Sequence, residues 1–136
     1  MTDPELLAKR LALIETCVQE LRTLARPEAM EQEVREARFV QHTLQMAIQA
    51  ALDVASHVVS DGRLGEPRTN RELFDILESH GLLEPELAIQ LRRMAGFRNI
   101  LVHGYQAVDI SIVRDVLEHR LEDLLAFVRA IRSKNP

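Results

Sequence analysis

Apolar residues recur along this chain at steps of three and four rather than two, the period of helices that bury one face. Leu7, Leu11, Ile14, Val18 and Leu21 form one such stripe and predict a first helix from Pro4 to about Ala25, with Asp3 and Pro4 as its N-cap and first residue. Pro27 ends that helix or starts the next, and a long second helix is expected from about Glu28 to Ser60, its acidic first turns matching the positive end of the helix dipole. Between Phe39 and Ser60 the only formal charge at neutral pH is Asp53. A helix so poor in charge belongs at the centre of a bundle or in a subunit interface. Along it Gln41, Gln45, Gln49, Asp53 and His57 repeat every four residues as one slanting polar row. The row is either a partly solvated seam containing an ordinary Asp53–His57 pair, or a face turned toward a site or a twin subunit.

"DGRLGEPR", Asp61 to Arg68, is rich in turn formers, and Thr69 with Glu72 has capping-box spacing for a short helix that ends before Gly81. Pro85 opens a fourth helix through "PELAIQLRRMAGFRNILVH". A last helix is expected from Asp109 to about Ser133, with Ile110, Val113, Leu117, Leu121, Leu124, Val128 and Ile131 on one face. With five helices and no strand or repeat, the pattern predicts an all-α bundle of four main helices plus a short one.

The length of 136 residues suits a single domain, 1–136, and hydrophobic and charged fractions of 46% and 28% are those of a chain that folds. A net charge of −4 excludes a generally basic nucleic-acid-binding surface, so any RNA site must be local. One cysteine, Cys17, rules out an internal disulfide and fits a reducing compartment. The N-terminus lacks the basic and apolar regions of a signal peptide, and even Phe39–Ser60 is too polar to span a membrane, so a soluble cytoplasmic protein is expected. Neither zinc-like ligand clustering nor a glycine-rich phosphate loop is present, and no metal or cofactor is expected.

From Leu87 to Val108 there is no acid, whereas Arg92, Arg93 and Arg98 all fall there, so the local charge is positive in an acidic protein. The segment ends in "FRNILVHGYQ". Metal-free RNA cleavage requires a base for the ribose 2′-OH, a cation for the crowded phosphorane and an acid for the leaving oxygen. Histidine suits the proton transfers and arginine the charge, which makes Arg98 and His103 the candidate pair and Arg92 and Arg93 candidate RNA contacts. Residues five apart on a continuous helix point roughly 140° away from each other. Convergence therefore requires that the helix unwind near His103, where Gly104 permits it, or that the partner group come from a second subunit. One histidine per chain also leaves one proton transfer unfilled, which a two-fold dimer would complete.

The spacing is weak evidence by itself, since Arg114 and His119 repeat it with two acids between them that would occupy the arginine and repel phosphate. A capped helix end with a hydrogen-bonded histidine explains "RNILVHGY" as well. Asp53 could orient a catalytic histidine or bridge to Arg98, or simply pair with His57.

"RNILVHGY", with its arginine, four residues, histidine, one residue and tyrosine, resembles the signature of HEPN-domain proteins in the form found in HepT-like (DUF86) toxins. The resemblance extends over roughly residues 38–131, through "LQMAIQAALDVASHVVSDG", "ELFDILESHGLLEPELAIQLRR" and "VDISIVRDVLEHRLEDLLAFVRAI". It implies a homodimeric HEPN bundle whose two motifs line a shared cleft. Arg98 and His103 would then be the catalytic pair of a metal-independent endoribonuclease, and Asn99 the polar residue that orients the site. Tyr105 would be the tyrosine that a cognate nucleotidyltransferase antitoxin modifies with AMP, as in a type VII-like toxin–antitoxin pair acting on tRNA or mRNA. Added phosphate charge and bulk beside an RNA-binding cation would block the toxin. The alternative is a noncatalytic helical dimer that binds nucleotide or a nucleotidyltransferase partner.

Overall fold

The computed structural model describes residues 3–103, the last by its backbone alone, and 108–134. Helix α1 spans Pro4–Leu24 and starts as expected: the Asp3 carboxylate accepts hydrogen bonds from the backbone N–H groups of Glu5 and Leu6 at 3.0 and 3.3 Å. Its stripe of Leu7, Leu11, Ile14, Val18 and Leu21 is buried.

The second helix begins later than the sequence suggests. Pro27–Ala29 forms a single 3₁₀ turn, and α2 runs from Val34 to Asp61. The reason is a carboxylate the sequence pattern does not single out. Glu36 is buried and accepts the backbone N–H of Arg26 at 2.7 Å, while the Arg26 guanidinium donates to Glu33 at 2.6 Å. Those bonds tie the end of α1 to the first turn of α2, so the chain between them must fold back, and buried Met30 fills the space beneath.

Helix α2 is the centre of the bundle, packed against every other helix. Val40, Leu44, Ile48 and Val54 are fully enclosed, which explains why so long a segment carries so little charge. Helix α3, Asn70–Ser79, carries the expected capping box: Thr69 Oγ1 accepts from the Glu72 N–H, and the Glu72 carboxylate accepts from the Thr69 N–H at 3.0 Å. It ends at Gly81, whose φ of +74° is the left-handed conformation that glycine adopts without strain. Helix α4 spans Pro85–His103.

The expected last helix is two. Helix α5, Ile110–His119, and α6, Leu121–Lys134, meet at Arg120, which leaves helical geometry with φ −118° and ψ −2°. Neither glycine nor proline marks this break. The two segments have different neighbours: α5 lies against α2 and the 3₁₀ turn, whereas α6 lies against α1, α2 and α4. Among the described residues the architecture is therefore six α-helices and one 3₁₀ turn, without strands.

Phe127 on α6 meets Phe74 on α3 edge to face, with ring centroids 6.0 Å apart, and closes the core between them. Outside it, Arg132 holds Glu15 through two hydrogen bonds of 2.7 and 2.8 Å, and Arg22 and Arg129 share Glu122. These ion pairs fasten the first helix to the last. No helix of the described residues is long and apolar enough to cross a membrane.

Candidate active site

Helix α4 inserts Ala88, Leu91, Met94, Ala95, Phe97 and Leu101 into the core and leaves Arg93, Asn99 and Ile100 exposed. Arg98 lies between these regimes. It is partly buried, its Nε is shielded from solvent without a hydrogen-bond partner, and its Nη1 donates to the side-chain oxygen of Asn99 at 3.2 Å. No carboxylate among the described residues pairs with it. A guanidinium held by a neutral acceptor keeps its full charge for an incoming anion, and a buried donor without a partner leaves bonding capacity unused. Asn99 thus anchors the arginine without neutralising it.

Helix α4 continues through the backbone of His103, so unwinding ahead of the histidine does not occur. Positions 98 and 103 remain roughly 140° apart around the helix. The His103 side chain and Tyr105, with Gly104, Gln106 and Ala107, lie outside the described residues.

The other arginines differ from one another. Arg92 donates to Asp75 Oδ1 and Glu78 Oε1 on α3 at 3.1 and 2.9 Å, so two acids already occupy this candidate RNA contact. Arg93 is exposed and, with Met94, Phe97, Ile112, Asp115 and Arg120, lines a hollow of about 290 Å³ between α4 and α5. The decoy spacing is occupied as its acids imply. Arg114 pairs with Glu118 at 2.5 Å, and His119 lies 4.0 Å from Asp115.

The polar row on α2 divides. Its far end does not form the Asp53–His57 pair considered from spacing. Asp53 instead accepts from Arg10 Nη1 on α1 and from Gln49 Nε2, both at 2.9 Å, and forms no described bond to Arg98. The near end, Gln41 and Gln45, lines a cleft of about 430 Å³ with Arg38, His42 and Leu101, beside the last turn of α4. Sequence reading missed Arg38 and His42. The signal for them was their place one turn apart beside the glutamines, but only packing reveals that this end of α2 adjoins Leu101. Cys17 is buried, and desolvation, with a smaller contribution from Glu20, raises its thiol pKa, which makes it a packing residue rather than a nucleophile.

An all-helical bundle with an arginine–asparagine pair near the end of α4, followed by a histidine, is the arrangement that the HEPN resemblance implies. Residues 14–131 match the family model described as "Ribonuclease HepT-like", and the chain belongs to that family. It is 29% identical over 131 residues to the "mRNA nuclease HepT" of Shewanella oneidensis, covering 96% of this chain and 98% of that protein. It is 36% identical over 95 residues to the "tRNA nuclease HepT" of Aphanizomenon flos-aquae, covering 70% of this chain and 65% of that one. Among solved structures, a tri-AMPylated Shewanella oneidensis HEPN toxin in complex with MNT antitoxin superposes with a TM-score of 0.88 at 29% identity, covering 96% of this chain and 99% of that one. A toxin–antitoxin crystal structure with AMP-PNP superposes with a TM-score of 0.89 at 28% identity, covering 95% and 98%.

Proposed function

We propose that this chain, a single HEPN domain over residues 1–136, is a metal-independent endoribonuclease toxin of a toxin–antitoxin pair that acts on tRNA or mRNA in the cytoplasm. The observation that carries the reading is the Arg98 guanidinium, partly buried, hydrogen-bonded to neutral Asn99 and unpaired with any described acid. Such a cation matches the charge that develops on phosphorus. Family membership and the nuclease names of the relatives support the same reaction.

In this mechanism His103 removes the ribose 2′-OH proton, the 2′ oxygen attacks phosphorus, and Arg98 stabilises the phosphorane. A protonated imidazole then donates to the departing 5′ oxygen, leaving a 2′,3′-cyclic phosphate. The opposed directions of positions 98 and 103 on a continuous helix favour a composite site in which two copies meet. Each copy then contributes one histidine, so one imidazole acts as base while the other acts as acid. Control by a nucleotidyltransferase antitoxin that transfers AMP to Tyr105 fits the tri-AMPylated toxin among the structural relatives. It would add phosphate charge to the same sequence motif that carries the arginine.

The test is cleavage of labelled tRNA and mRNA in excess EDTA by unmodified protein, beside Arg98→Ala and His103→Ala. Cyclic-phosphate products from the parent alone support the reading. Absence of cleavage above the folded variants, on protein free of AMP by mass, overturns it in favour of a noncatalytic dimer that binds nucleotide or its nucleotidyltransferase partner.

A further inference from the structure

Gly96 sits inside α4, where glycine weakens a helix relative to alanine. Its surroundings explain the residue. A Cβ built there would collide with Nη2 of Arg71 on α3 and lie 3.3 and 3.4 Å from its Cζ and Nε. The Nη2 end of the guanidinium therefore reaches the α4 backbone at a place that a side chain on position 96 would crowd, displacing it.

Arg71 belongs to a row on α3 that faces α4. Arg71, Asp75 and Glu78 follow one another at steps of four and three. The two acids take Arg92, while Arg71, at the end of the row nearer the α4 C-terminus, is exposed and has no acidic partner among the described residues. The helices thus neutralise the arginine farther from the Arg98–Asn99 pair and leave the nearer one charged. Asn99 follows Gly96 by three residues, about 5 Å along the helix, and position 103 by seven, about 10 Å along the same strip. A strand crossing position 103 would bring its neighbouring phosphates within reach of Arg71. Guanidinium is suited to them because its planar fork binds two phosphate oxygens at once.

We propose that Arg71, seated on Gly96, is a phosphate-binding subsite for RNA flanking the cleavage point, an inference that rests on the ribonuclease reading above. The subsite takes over the role that sequence reading assigned to Arg92.

The experiment uses the full chain and a fluorescent oligoribonucleotide made uncleavable by 2′-O-methylation, with affinity measured across salt concentrations for the parent, Arg71→Ala, Arg71→Lys and Gly96→Ala. Each phosphate contact on single-stranded nucleic acid contributes a slope of about 0.7 in log affinity against log salt. Arg71→Ala should lower affinity about five- to tenfold and reduce that slope by about 0.7. Arg71→Lys should retain most of the slope. Gly96→Ala should act oppositely on stability and binding, raising the melting temperature by about 2–4 °C through helix propensity while weakening RNA binding as Arg71→Ala does. Unchanged affinity and slope in Arg71→Ala overturn the subsite even if the parent cleaves RNA. Weakened RNA binding that also lowers melting temperature in both variants overturns it in favour of a structural role. Intact subsite behaviour in a parent that cleaves nothing overturns the ribonuclease reading alone.

Discussion

Arg98 donates to the side-chain oxygen of its own neighbour, Asn99, at 3.2 Å, and to no acid among the described residues. Adjacent residues on a helix diverge by about 100°, so the bond requires both side chains to bend toward each other across the surface near the end of α4. A neutral acceptor orients the guanidinium and leaves its charge available.

Changing that acceptor separates orientation from charge. Asn99→Asp would turn the partner into a carboxylate and neutralise the arginine, so cleavage should fall by about two orders of magnitude, as when one preorganised charge-stabilising donor is lost. Asn99→Ala should reduce it less, because the charge survives without its guide. Both variants should melt close to the parent, since Asn99 is exposed. Single-turnover rates with parallel circular dichroism distinguish these outcomes, and equal losses in the two variants would contradict the charge argument.

Asp53 makes a structural prediction and a functional one. Arg10 and Asp53 are each about one-third exposed, and the Nε of Arg10 and Oε1 of Gln49 are already shielded without partners. Asp53→Ala should therefore cost about 1 kcal/mol, more than a typical surface pair but less than a fully buried one. If Asp53 also supports the site, cleavage at low temperature, where the variant is fully folded, should fall more than twofold. If rates match the parent there, its role is confined to joining α1 to α2.

Glu36 is the carboxylate that sets where α2 begins. Glu36→Ala leaves the Arg26 backbone N–H without its 2.7 Å partner in a part-buried turn, and about 1 kcal/mol of stability should be lost in urea titrations. Phe127→Ala, which empties the ring contact with Phe74, should cost more, about 3–5 kcal/mol.

Acid should loosen the α1–α6 fastening. The hydrogen bonds from Arg132, with its charge adding to them, hold the Glu15 carboxyl below its ordinary value of 4.5. Because its folded pKa is depressed, Glu15 contributes stability that is fully present above about pH 4.5 and is lost as pH falls through the lower folded value, where the unfolded chain binds the proton first. Glu15→Gln should thus be less stable than the parent at neutral pH, and the gap should close on acidification below pH 4.5. A gap that stays constant with pH would assign the difference to packing rather than to the ionised pair.

Local chemistry made much of this molecule legible in advance. Asp3 with Pro4, Thr69 with Glu72, and Gly81 mark three helix ends through hydrogen bonds and a backbone conformation confined to a few neighbouring residues. The charge-poor run of α2 announced a central helix because burial of charge is costly everywhere along a chain. The basic, acid-free stretch around Arg98 was equally local, as were the acids that occupy Arg114. Tertiary structure decided what depended on partners distant in sequence. Glu36 reaches back to Arg26 and delays α2, and the last helix breaks at Arg120, between segments with different neighbours, without a glycine or proline to mark the place. Asp53 belongs to Arg10 across 43 residues rather than to His57, one turn away. Arg92 is neutralised from α3 while Arg71 is left charged over Gly96. Helical period states which residues share a face, but which face meets which is set by the joint packing of six helices, and no single stretch of sequence contains that information.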